Sequence, residues 1–363
     1  MLEIAKELLS KIEDNGFKAY IVGGFVRDIY IGRESIDIDV CTNATPMDLK
    51  KIFDEVRLDS KEYGSVTLIY KGVDFEITTF RKEIKYENNR KPIEIKYISS
   101  LDEDLKRRDL TINTLCMDKN VNVIDKFNGF SDIKARLIKI VGNPDYKLKE
   151  DSLRILRAIR FGTILNFDFD VATSKAIMDN AELINKLSYQ RIKEEFDRIF
   201  TSSNIAYGFD LIKKFNIDKI LGISNFSEVV IVNDLLGIWA QLDIDLSKWP
   251  FIKTERDMIK KIREVFDMDL DIFTLYNYGL YIFQLVSKIK KVDTSSVVKY
   301  YNDLPIKNKK EIKIDIEEIL KLLNKEKGSW IKYLIDDIEE KIVLGRLDNS
   351  YQKIKDYIIK KYK

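Results

Sequence analysis

Two aspartates alternate with apolar residues in a short segment near the amino terminus. Asp37 and Asp39 flank Ile38 in the stretch IDIDV. On a β-strand, residues i and i+2 point to the same face, so this spacing predicts two carboxylates side by side. Adjacent carboxylates repel each other unless a cation neutralises them, and Mg²⁺ bound together with nucleotide phosphates does this well. The alternative is that they cap a turn or face solvent, and the D-x-D pattern alone does not decide.

A pair of glycines lies upstream of these aspartates. Gly23 and Gly24 follow the strand-like AYIV and precede a helix-like segment that contains Arg27. Backbone amides at such a turn and helix start can approach phosphates closely, and Arg27 could reach the same anion. A simple strand-to-helix turn would also favour glycine. Together with the two aspartates, however, the glycines and the arginine indicate a site for a triphosphate and Mg²⁺.

Two later segments concentrate arginine and aspartate. DEDLKRRDLTIN places Arg108 and Asp109 at the end of a helix-like stretch. EDSLRILRAIRF repeats a charged residue every third position, which predicts one ridge on a helix; its members are Asp151, Arg154, Arg157 and Arg160. The alternatives are a surface ion pair for the first segment and a solvated face for the second. A carboxylate that accepts from an amino group, beside an arginine that donates to a ring nitrogen, would select C and A together.

The composition limits the chemistry that the chain can use. It has 363 residues, no histidine and two cysteines. The absence of histidine excludes histidine-based triads and histidine zinc sites, so carboxylates, arginine, lysine and metal ions would have to carry any catalysis. Two cysteines favour a reducing cytoplasm over a disulfide framework. The net charge is +2, but local patches rather than the total decide whether a protein binds nucleic acid.

Hydrophobic patterning divides the chain into two regions. Short strand-like runs dominate residues 1–120, including a hairpin that turns at Lys71-Gly72 and a helix capped by Thr45 with Pro46 at its first position. After about residue 145 the pattern is helical to the end. No segment approaches the roughly 18 apolar residues of a membrane span. These patterns predict an α+β fold with a mixed sheet at the amino terminus, followed by an all-α region.

The three segments, taken in order, resemble those of a known family. GGFVRD followed by DIDV, then DEDLKRRDLTIN, then EDSLRILRAIRF are similar to the motifs of class II tRNA nucleotidyltransferases and bacterial poly(A) polymerases. Weaker similarity continues to the carboxyl terminus. The resemblance implies a nucleotidyltransferase head at 1–120, a neck with a base-reading helix at 121–200, a helical body at 201–290 and a tRNA-binding tail at 291–363.

The resemblance also implies roles for individual residues. Asp37 and Asp39 would be catalytic and hold Mg²⁺, and the remaining predicted site residues would bind the nucleotide. Arg108 would contact the nucleotide, Asp109 would help to read the ribose 2′-OH, and Asp151 with Arg154 would read the base. The others near the nucleotide would be Gly23, Gly24, Arg27, Arg157 and Arg160. Glu76 could be a third carboxylate near the metal or a structural partner within the head.

Other segments match the family only in part. Residues 81–92 resemble its flexible loop, with changed residues at several positions; the matching positions are Glu83, Tyr86, Asn88, Arg90, Lys91 and Pro92. The hinge-like segment 125–142 departs from the family at Lys126, Asn128 and Phe130. In YQRIKEEFDRIF, Arg191 and Glu194 or Glu195 are expected to stabilise the neck rather than to catalyse. The last thirteen residues carry five lysines against one aspartate, which suits contacts with RNA phosphates.

The function implied is template-independent addition of C, C and A to the 3′ end of tRNA from CTP and ATP, with release of pyrophosphate. Presence of the loop at 81–92 favours complete CCA addition. Alternatives from the same branch are a poly(A) polymerase and an enzyme that adds only CC or only A. An alternative from another class is a non-catalytic RNA-binding protein that retains the fold.

Overall fold

The computed structural model describes residues 1–35, 37–60, 64–87, 91–293 and 295–362. The chain divides into two compact units. The first comprises Met1–Ser224 with Ser247–Pro250, and the second comprises Asn225–Leu246 with Phe251–Lys363. The finer division into head, neck, body and tail stays a prediction.

Strands occur in the first unit, and most of them belong to one mixed sheet. Their bounds are β1 Ala19–Val22, β2 Ile38–Thr42, β3 Val56–Ser60, β4 Ser65–Tyr70, β5 Val73–Thr79, β6 Arg81–Glu87, β7 Lys91–Tyr97, β8 Cys116–Met117, β9 Val123–Ile124, β10 Leu137–Ile138 and β11 Asp168–Phe169. In the described residues the main sheet has the order β3-β4-β5-β2-β1-β8-β9, and β6-β7 and β10-β11 form two small pairs. β2 and β5 are parallel, whereas β1 is antiparallel to β2.

Helices cover the sheet and continue beyond it in the first unit. They are α1 Leu2–Asp14, α2 Gly24–Tyr30, α3 Pro46–Ile52, α4 Leu101–Lys106, α5 Gly129–Ala135, α6 Pro144–Glu150, α7 Leu153–Leu165, α8 Val171–Asn180, α9 Tyr189–Phe200, α10 Ile205–Lys214 and α11 Ile217–Ile220. α7 is buried on most of its surface, including two of its arginines. A solvated face, the alternative considered for this segment, is therefore wrong.

Among its described residues, the second unit contains helices joined by loops and no strand. Its helices are α12 Leu235–Gln241, α13 Lys253–Phe266, α14 Ile272–Ile289, α15 Val297–Asn302, α16 Ile316–Leu323, α17 Trp330–Val343 and α18 Tyr351–Tyr362. Apolar residues of α14, α16, α17 and α18, including Tyr276, Ile319, Ile338 and Ile354, form one buried cluster. Among the described residues of both units, no helix combines the length and the apolar character that crossing a bilayer requires.

Local sequence signals predicted several elements correctly. Thr45 caps α3 through a reciprocal capping box with Asp48, and Pro46 is the first helical residue. β4 and β5 form the predicted hairpin, and both Lys71 and Gly72 have positive φ, as a tight two-residue turn requires. The α+β fold with a mixed sheet followed by helices is confirmed.

The segment predicted to be a flexible loop at 81–92 differs from that prediction. Most of it is strand β6, which pairs in an antiparallel ribbon with β7, with irregular register near residues 83–86. Backbone pairing with the following strand-like run explains this, because the run supplies hydrogen-bond partners to a segment that carries few apolar residues. Asn88 and Arg90 lie outside the described residues, as do the side chains of Glu83, Tyr86, Lys91 and Pro92.

Candidate active site

A cleft of about 660 Å³ opens in the first unit beside the edge where β1 ends and β2 begins. Every residue that the sequence singled out for catalysis or nucleotide binding lines this cleft: Gly23, Gly24, Arg27, Asp37, Asp39, Glu76, Arg108, Asp109, Asp151, Arg154, Arg157 and Arg160. The cleft walls are rich in arginine and carboxylate groups. This charged lining predicts a site for a polar, anionic ligand rather than for an apolar one.

Three carboxylates share one side of the cleft. Asp39 on β2 pairs in register with Val22 of β1 and with Glu76 of β5. Asp37 immediately precedes β2 rather than lying on it, since ladder pairing begins at Ile38. Desolvation by the surrounding protein, and then repulsion from Glu76, raise the pKa of Asp39 to about 6, while Arg108 opposes the change.

This acidic group fits a hard divalent cation. Its donors are carboxylate oxygens, which Mg²⁺ prefers, and their mutual repulsion is the kind that a cation relieves. In the described part of the chain, no three metal-ligating side chains lie close enough to hold an ion by themselves. Mg²⁺ is commonly held by one or two carboxylates with substrate phosphates completing its shell, so Asp37 and Asp39 suffice as the protein's share.

The glycine turn lies against the same carboxylates. Gly23 has φ +83° and ψ −133°, which L side chains rarely adopt. A Cβ built there would lie 3.7 Å from Asp39 Oδ2. Arg27 follows on α2 with its side chain buried, and it forms an ion pair with Asp28 at 2.9 Å. The turn therefore brings backbone amides and a fixed arginine next to the acidic group.

Arg108 follows the end of α4 and lines the same cleft as the carboxylates. Asp104, which is fully buried on α4, accepts hydrogen bonds from Arg107 Nε at 2.8 Å and from Arg108 Nη2 at 3.4 Å. Burial acts to lower the pKa of Arg108, but Asp104 and other neighbours, including Asp39, together raise the pKa above its ordinary value. Arg108 is thus a permanent cation within the cleft wall.

Asp109 and Arg157 form an ion pair between distant parts of the sequence. Arg157 Nε donates to Asp109 Oδ2 at 2.7 Å. Asp109 is buried, whereas about a third of the Arg157 side chain (34%) is exposed. Burial acts to raise the pKa of Asp109, but Arg157 and a hydrogen bond from Asn113 hold it below its usual value. The pair joins the second motif to α7.

The sequence predicted that Asp151 and Arg154 lie one turn apart on a single helix, and this prediction is wrong. α6 ends at Glu150, and Asp151 lies in the break before α7, with φ −141°. Its Oδ1 accepts from the backbone N–H of Leu153, which competes with continuation of the helix. Arg154 is buried and donates to the carbonyls of Lys147 and Arg107 and to Glu150. Both residues nevertheless line the cleft.

Arg160 is paired with Glu195 of α9 at 3.2 Å, and both side chains are buried. Burial lowers the pKa of Arg160 to about 10, and Glu195 partly offsets this. The expectation that Glu195 supports the structure around the base-reading helix agrees with this contact and stays a prediction. Arg191 and Glu194 pair with each other on the exposed side of α9.

Sequence comparison identifies the kind of protein that carries this cleft. A "CCA-adding enzyme" of Ligilactobacillus salivarius is 33% identical over 95% of this chain and 93% of its own length. The chain belongs to the family of CCA-adding enzymes. These are tRNA nucleotidyltransferases, so the protein is an enzyme of that class. A CCA-adding enzyme of Staphylococcus saprophyticus is 29% identical over 99% of the chain and 98% of its own length.

Family models and a solved structure agree with this assignment to the CCA-adding family. Residues 19–139 match a "Poly A polymerase head domain", residues 166–221 a "Probable RNA and SrmB- binding site of polymerase A", and residues 230–358 a "tRNA nucleotidyltransferase domain 2". The crystal structure of the Bacillus stearothermophilus CCA-adding enzyme in complex with CTP is 26% identical, with a TM-score of 0.85, and covers 99% of this chain and 96% of that one. Nucleotidyltransferases of this family use divalent metal ions.

The sequence motifs did not predict several residues that line the cleft. They are Phe25, Asp28, Ser35, Arg107, Asn113, Phe161, Ile164 and Arg198. Asn113 and Phe161 stand inside the quoted motifs, and this membership was the available signal. Arg198 lies on α9, within YQRIKEEFDRIF but outside the three ordered motifs, and only the tertiary structure brings it to the cleft.

Phe161 contacts three arginines of the cleft. Its ring centroid lies 5.1 Å from Arg27 Cζ, 5.7 Å from Arg157 Cζ and 4.4 Å from Arg160 Cζ. A guanidinium over an aromatic face is attracted by the ring quadrupole, by about 0.5–2 kcal/mol for each contact. The ring therefore adds to the carboxylate partners of these arginines in holding three like charges near one another.

Replacing Phe161 with leucine is expected to raise the KM for CTP by roughly tenfold, the equivalent of about 1.4 kcal/mol. The leucine fills much of the volume but lacks the ring face. Steady-state kinetics of nucleotide addition measure the change. Phe167→Leu is the matched control, because Phe167 contacts Arg136 at 5.6 Å but does not line the cleft. Equal effects of the two substitutions would contradict the role of the ring.

Replacing Asp109 with asparagine is expected to lower the free energy of unfolding at neutral pH by about 2–3 kcal/mol. This is less than a fully buried pair would lose, since Arg157 is partly exposed. The lowered pKa means that the ionised Asp109 contributes fully above its ordinary value of about 3.9, and that this contribution is lost as the pH falls toward the lowered value. The difference between the two proteins should be constant from pH 8 to 5 and shrink below about pH 4.

Urea unfolding of both proteins between pH 8 and pH 3 measures this difference. The exposed Asp54→Asn is a control that should change stability little at any pH. A difference that is absent at pH 7, or that stays the same down to pH 3, would show that the Asp109 carboxylate does not stabilise the fold as an ion.

Proposed function

We propose that the protein adds C, C and A to the 3′ end of tRNA, using CTP and ATP and releasing pyrophosphate. The observation that carries the proposal is the convergence of all three motifs on one cleft, with carboxylates, glycine turn and arginines on its walls. The CTP complex of the B. stearothermophilus relative supports CTP as one substrate.

The chain's own residues would do most of the work by positioning. Asp37 and Asp39 would hold Mg²⁺ with the triphosphate, and Glu76, adjacent in register, would be a third carboxylate near it. When bound, the ion would neutralise charge on the phosphates and lower the pKa of the attacking 3′-OH. Backbone amides of Gly23 and Gly24 would face the triphosphate.

Cations further along the cleft would hold the rest of the nucleotide. Arg27 would face the triphosphate, and Arg108 the sugar or phosphate. Asp109 would accept a hydrogen bond from the ribose 2′-OH, which distinguishes NTP from dNTP. The 3′-OH of the tRNA would then attack the α-phosphate while pyrophosphate leaves, a reaction that positioning and electrostatic stabilisation favour.

Asp151 and Arg154 would read the base, with Arg157 and Arg160 close to the nucleotide. Arg154 donates three hydrogen bonds to protein acceptors, and a guanidinium has five N–H groups. Those contacts would fix its orientation while two N–H groups point elsewhere. A fixed donor beside a carboxylate acceptor suits the shared edge of cytosine and adenine.

We place the protein in the cytoplasm, where free cysteines are ordinary; Cys41 and Cys116 are both buried and reduced. Within the chain we propose a catalytic head at 1–120, a neck at 121–200, a body at 201–290 and a tRNA-binding tail at 291–363. Lysines of the tail would contact tRNA phosphates.

One incubation tests the proposed activity. Purified protein and Mg²⁺ are incubated with labelled nucleotides, offered singly and together, and with a tRNA transcript that lacks CCA. The RNA products are resolved on a sequencing gel. We expect two added residues with CTP alone and three with CTP and ATP. A long ladder with ATP alone would indicate a poly(A) polymerase, which the descriptions of two matching family models name. Addition of only CC or only A would indicate a partial activity, and no extension a non-catalytic RNA-binding protein.

A further inference from the structure

Asn113 stands where the three motifs meet, although the reaction described above gives it no role. It ends a 3₁₀ turn at Thr111–Asn113, is 7% exposed and lines the cleft. Its Oδ1 accepts from Arg27 Nη1 at 2.5 Å, and its Nδ2 donates to Asp109 Oδ1 at 3.2 Å. One side chain therefore joins a residue of the glycine turn's helix to the residue expected at the ribose.

An amide meets the chemistry of both neighbours at this position. A guanidinium can only donate hydrogen bonds, and an ionised carboxylate can only accept them. The side chain between Arg27 and Asp109 must therefore accept at one end and donate at the other. Aspartate would place a second carboxylate against Asp109, and alanine would leave buried polar atoms on both sides without their partner.

The bridge extends in both directions. Beyond Arg27, Asp28 accepts from Arg27 Nε and Nη2 at 2.9 and 3.0 Å. Beyond Asp109, Arg157 of α7 donates to the other carboxylate oxygen at 2.7 Å. The result is an unbroken series of hydrogen bonds from α2 to α7, in which Asn113 is the only uncharged member.

We propose that Asn113 is a positioning residue of the nucleotide site, which fixes Arg27 and Asp109 relative to each other. The triphosphate end and the ribose end of one bound nucleotide are then held at a set separation. This inference deepens the proposed function and rests on its assignment of Arg27 and Asp109 to the nucleotide. Asn113 itself acts through these two residues rather than on the reacting atoms.

Kinetics of C addition by Asn113→Asp and Asn113→Ala test the proposal. We expect the KM for CTP to rise by about tenfold or more, the size of one lost hydrogen bond to a charged group. The KM for tRNA should stay within about twofold, and the preference for CTP over dCTP should fall, because Asp109 loses its fixed position. A loss of general stability alone would not raise the KM for CTP and lower the preference over dCTP while leaving the KM for tRNA unchanged.

Asn180→Asp and Asn180→Ala are the matched controls. Asn180 is 6% exposed, in the same unit, and its Nδ2 donates to Asp145 Oδ1 at 2.9 Å and to the Ala176 carbonyl at 2.8 Å. It does not line the cleft. The control variants should lower the melting temperature without changing the KM for CTP or the preference over dCTP.

Equilibrium titration with CTP and with dCTP keeps the test independent of tRNA extension. If the wild-type protein binds CTP but does not extend tRNA, the proposed function is wrong. The comparison of nucleotide binding between the wild type and the Asn113 variants would still test the inference. Asn113 variants that fold and bind both nucleotides as the wild type does would overturn the inference. So would Asn180 variants with the same loss of CTP affinity. If Asn113→Asp does not fold, Asn113→Ala decides, since it introduces no second carboxylate.

Discussion

Replacing Asp39 with asparagine is expected to slow nucleotide addition by about 10³-fold or more, while binding of tRNA persists. Asparagine keeps the shape of the side chain but removes one of the two charges that would hold the cation and balance the triphosphate. Electrostatic stabilisation of a transferring phosphoryl group is worth roughly 10³–10⁵-fold in rate, which sets the expected size. Asp37→Asn should have an effect of the same order, because both carboxylates line the cleft.

Single-turnover extension of a tRNA transcript, with saturating CTP, measures the chemical step. A gel-shift or filter-binding assay with the same transcript measures whether tRNA binding survives. Asp54→Asn is the matched control, because Asp54 is an exposed aspartate of the same region outside the cleft. Turnover by Asp39→Asn within about tenfold of the wild type would reject the assignment of this carboxylate.

Replacing Asp151 with alanine is expected to relax the choice of base. The carboxylate would accept from the amino group that cytosine and adenine share, and a good pair of this kind is worth about 1–3 kcal/mol of discrimination. Its loss should therefore raise the relative use of UTP and GTP by roughly 5- to 150-fold. Arg154 is held by three protein acceptors, so its position should survive the substitution.

Competition between CTP and UTP at the first added position measures this preference directly. Asp179→Ala provides the control, since Asp179 is exposed on α8 and does not line the cleft. Unaltered selectivity in Asp151→Ala, with normal folding, would count against reading of the base by this carboxylate.

Elements with short-range signals could be predicted from the sequence. The glycine turn, the capped helix after Thr45 and the hairpin at Lys71-Gly72 depend on residues that are neighbours in the chain. Order and spacing of the motifs also identified many, but not all, of the residues that line the cleft. Each of these features depends on local backbone preferences or on a recognisable motif.

Features that depend on long-range packing could not be predicted in this way. Asp151 interrupts the helix because its side chain competes for the Leu153 amide. The helical periodicity of residues 149–165 gave no sign of this interruption. Burial of Arg154 and Arg160 depends on acceptors from other elements, such as the Arg107 carbonyl and Glu195. The contact of Asn113 with Arg27 joins residues 86 positions apart, which no local pattern reports.

A crystal structure of the protein with CTP and Mn²⁺, in which Mn²⁺ replaces Mg²⁺ as an anomalous scatterer, tests the central claim most directly. We predict an anomalous peak within about 2.5 Å of carboxylate oxygens of Asp37 and Asp39, with the triphosphate along the turn at Gly23 and Gly24. CTP bound elsewhere, with no cation at these two aspartates, would contradict the account.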